Sequence, residues 1–128
     1  MLRIRDIMSR NVFTLSEQAP LEEAAWGLTA NAVSGAPVRD RRGHLVGVLS
    51  KSDLVDPDRV SGDAPTVGDA MTEQPYAVGP DEHLDSVART MAEHKYGCAV
   101  VLYRGKLLGV FTTVDALRAL ADLARSAG

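Results

Sequence analysis

Two short stretches of the sequence place a hydroxyl residue three positions before an aspartate. Ser50 precedes Asp53 in GVLSKSDL, and Thr112 precedes Asp115 in GVFTTVDA. At a helix start such a pair caps the first N–H groups, as in a capping box, which contributes about 1 kcal/mol. The same place offers N–H groups to a phosphate and a carboxylate to the two hydroxyls of a ribose. The pattern therefore predicts either two helix caps or two ribonucleotide sites.

The elements that must position these pairs are repeated along the chain. Met8 and Met71 are 63 positions apart, whereas Asp53 and Asp115 are 62 apart. One deletion in a turn accounts for the difference, because turns tolerate deletions best. We predict a first repeat at 1–56, a linker at 57–66, and a second repeat with a C-terminal helix at 67–128.

Each repeat has the same predicted order of elements, β-α-β-β-α. Apolar residues at i, i+3, i+4 and i+7 from Leu21, and again from Leu84, indicate two amphipathic helices. A hairpin with a glycine in its turn follows each helix, and a last helix begins at each hydroxyl–acid pair. A repeat of about sixty residues buries little surface alone. We therefore predict an α/β (α+β) fold in which two pseudosymmetric halves pack sheet to sheet.

Composition narrows the class of protein. The chain has 128 residues, of which 45% are apolar and 24% charged, with a formal net charge of -3. This charge favours no nucleic-acid partner. Charged residues interrupt every short apolar run near the N-terminus, so we expect no signal peptide, no membrane insertion and a cytoplasmic location.

No arrangement of residues is typical of catalysis. His44, His83 and His94 share no metal-ligand spacing with one another or with Cys98, the single cysteine. The sequence contains neither a glycine-rich phosphate loop nor a G-x-S-x-G elbow. We therefore expect no enzymatic activity, no metal and no required cofactor.

The order of these motifs resembles the cystathionine-β-synthase (CBS) domain pair, or Bateman module, over about residues 2–56 and 67–124. The residues that carry the resemblance are Asp6 and Met8 before Ser9, Asp69 and Met71 before Thr72, SGAPV at 34–38, GCAVV at 97–101, and the two hydroxyl–acid signatures. The resemblance implies a stand-alone CBS domain protein with a regulatory role. Because the chain contains no output domain, its output must act through a separate enzyme or transporter or be missing.

The resemblance also implies a ligand, which is AMP, ADP, ATP or S-adenosylmethionine bound in clefts between the two repeats. The family's ribose-binding acid falls on Asp53 and Asp115, and its phosphate- or sugar-contacting hydroxyl on Ser50 and Thr112. The first extended segment of each repeat and the strand after the amphipathic helix supply the rest of each site. Those residues are Thr14, Leu15, Val33, Ser34, Gly35, Ala36 and Pro37 in the first repeat, and Ala77, Val78, Tyr96, Gly97, Cys98 and Ala99 in the second.

Two functions remain open at this point. In the first, adenosine-nucleotide binding alters packing or dimerisation, and a partner responds to the change. In the second, the chain is a ligand-free dimerisation or adaptor module whose hydroxyl–acid pairs only cap helices. Both predict a homodimer, because the helices at 20–32, 83–95 and 113–125 carry more apolar face than one small pair of sheets can cover.

Overall fold

Two compact units make up the protein. The computed structural model describes residues 1–10, 12–56, 60 and 62–127. One unit is Phe13–Pro75, and the other combines Met1–Val12 with Tyr76–Gly128. Each unit contains one sheet with its helices, which confirms the predicted mixed α/β fold. The repeat boundaries stay a prediction, and residues 57–59 and 61 of the predicted linker lie outside the described residues.

The elements follow the predicted order in both halves of the chain. They are α1 (Ile4–Ile7), β1 (Leu15–Ser16), α2 (Leu21–Ala30), β2 (Gly35–Arg39), β3 (Leu45–Ser50), α3 (Lys51–Leu54), α4 (Val67–Ala70), β4 (Thr72–Glu73), β5 (Ala77–Val78), α5 (Leu84–His94), β6 (Cys98–Tyr103), β7 (Lys106–Thr112) and α6 (Thr113–Ala127). The order β-α-β-β-α thus runs from β1 to α3 and again from β5 to α6. Both closing helices begin directly after Ser50 or Thr112, as the hydroxyl–acid signature predicts.

The two sheets share the same central pairing. In the first unit β1 is parallel to β2, and β2 is antiparallel to β3, in the order β1-β2-β3-β4. In the second unit β5 is parallel to β6, and β6 is antiparallel to β7. The hairpin turns contain Gly43 and Gly105 at φ values of 83° and 78°, a left-handed conformation that glycine adopts without steric cost. The second strand of each hairpin, β3 or β7, ends at the hydroxyl residue of a hydroxyl–acid pair.

Apolar periodicity places one core in each unit. Leu21, Ala24 and Leu28 of α2 are buried against Val38 and Leu49 of the first sheet. In the second unit the buried side chains of α5 pack with those of the second sheet. These residues are Val87, Met91, Val78, Ala99, Val101 and Phe111. The stripes predicted from Leu21 and Leu84 therefore do cover the sheets.

The segment before β1 in the first repeat and before β5 in the second, at 4–10 and at 67–73, is called the lead-in here. Each lead-in lies in the unit that contains the other repeat's hairpin. Ile4 and Met8 are buried in the second core, and the Ser9 N–H donates to the Val110 carbonyl at 2.8 Å. The Val110 N–H donates back to the Ser9 carbonyl at 3.0 Å. In the first unit β4 pairs with β3 in the corresponding place. The lead-ins therefore lie alongside the strands that end at Ser50 and Thr112.

Candidate functional site

Asp115 is a buried carboxylate at the start of α6, with 6% of its surface exposed. Its Oδ2 accepts hydrogen bonds from the Thr112 N–H at 2.9 Å and from the Thr112 hydroxyl at 3.0 Å. The Asp115 N–H in turn donates to Thr112 Oγ1 at 3.2 Å. These reciprocal bonds form the capping box that the sequence predicts as one of its two interpretations.

The second oxygen of Asp115 has a partner from a distant part of the chain. The Ser9 hydroxyl donates to Asp115 Oδ1 at 3.0 Å across a separation of 106 residues. Ser9 is not among the site residues predicted from the sequence. A signal for it was available, because Ser9 and Thr72 both carry a hydroxyl at the same position of the repeated lead-in. The structure therefore adds Ser9 to the Asp115 site.

Asp53 has the same local geometry in the first unit, with 8% of its surface exposed. Its Oδ2 accepts hydrogen bonds from the Ser50 N–H at 2.9 Å and from the Ser50 hydroxyl at 3.1 Å. The Ser50 and Ser52 hydroxyls are also hydrogen-bonded, at 2.8 Å. Both signature acids are thus held at helix starts by the hydroxyl residues three positions before them.

The predicted pocket residues of the first unit divide into two groups. Gly35 pairs with Ser50 across the hairpin, and the Lys51 N–H donates to the Ser34 carbonyl at 2.8 Å. A Cβ on Gly35 would lie 3.0 Å from the Leu49 carbonyl oxygen, which explains the glycine. Ser34 and Gly35 are therefore brought together with Ser50 and Asp53. Leu15 and Ala36 are buried in the first core and Pro37 is buried as well, whereas Thr14 and Val33 are half-buried.

The second unit repeats this division. The Thr113 N–H donates to the Gly97 carbonyl at 3.1 Å, and Cys98 pairs with Thr112. Gly97 and Cys98 therefore lie beside the cap of α6. Ala99 and Val78 are buried, and Ala77 is exposed where it pairs with Val100.

Tyr96 belongs to a row of aromatic rings at the edge of this site. Its ring stacks on Tyr76 at a centroid distance of 5.2 Å and on His94 at 5.1 Å. An open depression of about 400 Å³ lies beside it. Its lining residues are Ala88, Met91, Ala92, Lys95, Tyr96, Gly97, Thr113 and Ala116. An exposed aromatic side chain thus flanks a concave surface next to the α6 N-terminus.

Cys98 lies next to the Thr112–Asp115 capping box, because it pairs with Thr112, and its thiol is unreactive. Burial, followed by the negative charge of Asp115, raises the pKa of the Cys98 thiol to about 12. At neutral pH the group is therefore protonated, and a protonated thiol is a poor nucleophile. Cys98 acts here as a small apolar surface.

The glycine of each signature leaves room for a lead-in segment. A Cβ on Gly109 would lie 2.5 Å from the Ser9 carbonyl oxygen. A Cβ on Gly47 would lie 2.7 Å from the Thr72 carbonyl oxygen and 2.8 Å from Met71 Sδ. Because real Cβ contacts are longer than this, only glycine lets the lead-in approach the strand so closely. The repeated glycine thus positions Ser9 over β7.

The described residues contain neither a metal-binding cluster nor a membrane-spanning helix. Within residues 1–10, 12–56, 60 and 62–127, no three of His, Cys, Asp and Glu lie close enough to hold a metal ion. No helix among these same residues has the length and hydropathy needed to cross a membrane.

A protein-family model matches most of the chain. A family model described as CBS domain matches residues 4–57 and again residues 67–122. The same family model thus matches the chain twice. No catalytic family is indicated by this match.

The chain is also similar to solved structures and to a longer archaeal protein. CBSX2 of Arabidopsis thaliana, solved in complex with AMP, has a TM-score of 0.84 and 28% identity over 97% of this chain and 99% of that chain. A putative acetoin utilization protein, AcuB, from Vibrio cholerae has a TM-score of 0.85 and 26% identity over 98% and 94%. Protein MJ1225 of Methanocaldococcus jannaschii is 29% identical over 93% of this chain, which spans 43% of that protein's length.

Proposed function

Because the chain belongs to the CBS domain family and consists of two CBS repeats, we propose that it is a regulatory module that senses an adenosine nucleotide. The observation that carries this proposal is a buried carboxylate at a helix start, present at both Asp53 and Asp115. Burying a charge is costly even when it is hydrogen-bonded, and the exposed capping acid Asp69 shows that a capping box alone does not require burial. The AMP complex of the related CBSX2 supports the same ligand class.

The groups around Asp115 suit the three parts of an adenosine nucleotide. The carboxylate accepts hydrogen bonds from ribose hydroxyls, and the N-terminus of the 15-residue helix α6 attracts a phosphate. The Thr112 hydroxyl, which is hydrogen-bonded to Asp115, would contact the sugar or the phosphate. The exposed backbone at Gly97 and the ring of Tyr96 offer a surface for the base. Around Asp53 the corresponding groups are Ser50, Ser34 and Gly35, and we propose a second site there.

Calorimetric titration with AMP, ADP, ATP and S-adenosylmethionine tests this function. We expect saturable binding of at least one of the four ligands, and comparison of their affinities will show how many phosphates the site prefers. If none of the four binds at millimolar concentration, the proposal is wrong and the hydroxyl–acid pairs are helix caps alone.

A second part of the proposal concerns self-association, which the alternative adaptor function would share. Leu117, Leu120 and Leu123 of α6 have between 52% and 61% of their surface exposed. They border an apolar groove of about 710 Å³. Its other lining residues include Met1, Leu2, Leu84, Ala88, Ala116 and Ala119. Contiguous apolar surface of this kind is typical of an interface, so we propose that this face pairs in a homodimer and passes ligand occupancy to a separate enzyme or transporter.

Replacing Leu120 by Asp should break this homodimer. A charge in the centre of an apolar interface leaves an unpaired carboxylate without water, which is strongly unfavourable. Sedimentation velocity should show a dimer for the parent and a monomer for Leu120→Asp. Arg118→Ala, which changes an exposed residue of the same helix, should remain dimeric. A monomeric parent, or a dimeric Leu120→Asp variant, would contradict this part of the proposal.

A further inference from the structure

The hydrogen bonds of Asp115 leave little capacity for a ribose. A carboxylate offers about four acceptor positions, two on each oxygen. In this site Oδ2 accepts two hydrogen bonds from Thr112, and Oδ1 accepts one from the Ser9 hydroxyl. About one position therefore stays open, whereas the 2′- and 3′-hydroxyls of a ribose together need two.

One resident hydroxyl must therefore give way when the ribose binds, and the geometry favours Ser9. Thr112 holds the acid through its N–H and its hydroxyl, and that hydroxyl also accepts the Asp115 N–H, so its removal breaks a reciprocal cap. Ser9 contributes one hydroxyl bond. Its backbone is held separately by two bonds to Val110, at 2.8 and 3.0 Å. Its side chain can thus rotate to another rotamer while the lead-in stays in place.

We propose that Ser9 sets the affinity of the Asp115 site, because its hydroxyl competes with the ribose diol for Oδ1. This inference rests on the proposed adenosine-nucleotide function and names the residue that tunes it. The lead-in of the first repeat thereby takes part in a binding site whose acid belongs to the second repeat. Sugars with a single hydroxyl avoid the competition, because they need only the open position.

The test compares AMP with 2′-deoxy-AMP in the Asp53→Asn background, which leaves the Asp115 site as the one measured. Ser9→Ala removes the competing hydroxyl, so AMP affinity should rise about five- to tenfold. The affinity for 2′-deoxy-AMP should change less than about twofold, because that ligand leaves Ser9 undisturbed. Ser9→Thr restores a hydroxyl, as the chain itself has at Thr72, and should return AMP affinity to the parental value.

Each outcome of this titration has one meaning. If Ser9→Ala binds AMP more tightly but 2′-deoxy-AMP about as tightly as before, the result supports competition at Oδ1. Equal changes for the two ligands, no change, or weaker AMP binding in Ser9→Ala would contradict it, because Ser9 would then only support the fold. If AMP binds the parent and Asp115→Asn weakens it while Ser9→Ala has no effect, this inference fails and the proposed function stands. If the parent binds neither nucleotide, this inference fails, and the proposed function fails with it only when ADP, ATP and S-adenosylmethionine do not bind either.

Discussion

Replacing Asp115 by Asn is expected to weaken AMP binding at its site about thirtyfold or more. The carboxylate accepts charge-assisted hydrogen bonds from the ribose, and losing two of them costs about 2–4 kcal/mol. An amide provides one acceptor oxygen in place of two. Calorimetric titration should find the same loss at the other site for Asp53→Asn, and the two losses should combine in the double variant.

The same substitution should leave the fold nearly unchanged. The amide oxygen of an asparagine can accept the Thr112 N–H that Asp115 Oδ2 accepts at 2.9 Å. The amide Nδ2 can donate to the Ser9 hydroxyl oxygen in place of the bond that Oδ1 accepts, so the main loss is the favourable interaction of the negative charge with the helix dipole, about 0.3–1 kcal/mol. The melting temperature of Asp115→Asn should therefore differ from that of the parent by only a few degrees. If AMP affinity falls while the melting temperature is retained, the carboxylate of Asp115 binds the ligand.

Asp69 provides a matched control within the same chain. It is the acid of the capping box of α4, where its Oδ2 accepts the Thr66 N–H at 2.8 Å and the Thr66 hydroxyl at 3.1 Å. Asp69 is exposed, and the family resemblance gives it no contact with a ligand. Asp69→Asn should leave AMP affinity at the parental value. If Asp53→Asn and Asp115→Asn behave like Asp69→Asn, all three acids are caps.

Replacing Gly109 by Ala is expected to destabilise the second unit by about 2–4 kcal/mol. The new Cβ would lie 2.5 Å from the Ser9 carbonyl oxygen, which is a backbone atom. Relief requires the lead-in to move away from β7, and this movement would break the two hydrogen bonds between Ser9 and Val110. The hydrogen bond from Ser9 to Asp115 would be lost with them. Thermal unfolding should show a melting temperature about 10 °C lower.

Gly79→Ala is the control for this effect. A Cβ on Gly79 would meet only the Glu82 carboxylate, at 3.7 Å, which is an ordinary contact with a flexible side chain. Its free energy of unfolding, measured by denaturant titration, should stay within about 1 kcal/mol of the parent. Equal stability of Gly109→Ala and Gly79→Ala would show that the lead-in does not need the close approach.

Local pattern was enough to predict the elements that carry the site. The stripes from Leu21 and Leu84 predicted α2 and α5, and the structure buries their apolar faces. The glycine turns predicted the hairpins, and the hydroxyl–acid pairs predicted where α3 and α6 begin. Each of these features depends on residues within a few positions of one another, so periodicity, turn chemistry and capping determine them.

Long-range pairing could not be predicted in this way. Lead-in residues such as Ile4 and Met8 lie in a segment too short to show a period, and their burial depends on the distant hairpin. The contact between Ser9 and Asp115 joins positions 106 residues apart, which no local pattern encodes. For the same reason the sequence shows the repeated glycine at 109 but not the close approach of the Ser9 backbone that requires it. The cap and ribose interpretations share one local geometry, so only binding distinguishes them.

The proposal that Asp53 and Asp115 bind an adenosine nucleotide is tested most directly by titrating AMP into the parent and into the Asp53→Asn, Asp115→Asn double variant. Both proteins should unfold cooperatively at similar temperatures, which establishes that the comparison concerns binding and not folding. We expect saturable AMP binding by the parent and binding at least about thirtyfold weaker by the double variant. Parental AMP affinity in the double variant would contradict the two proposed sites, and so would a parent that binds none of AMP, ADP, ATP and S-adenosylmethionine.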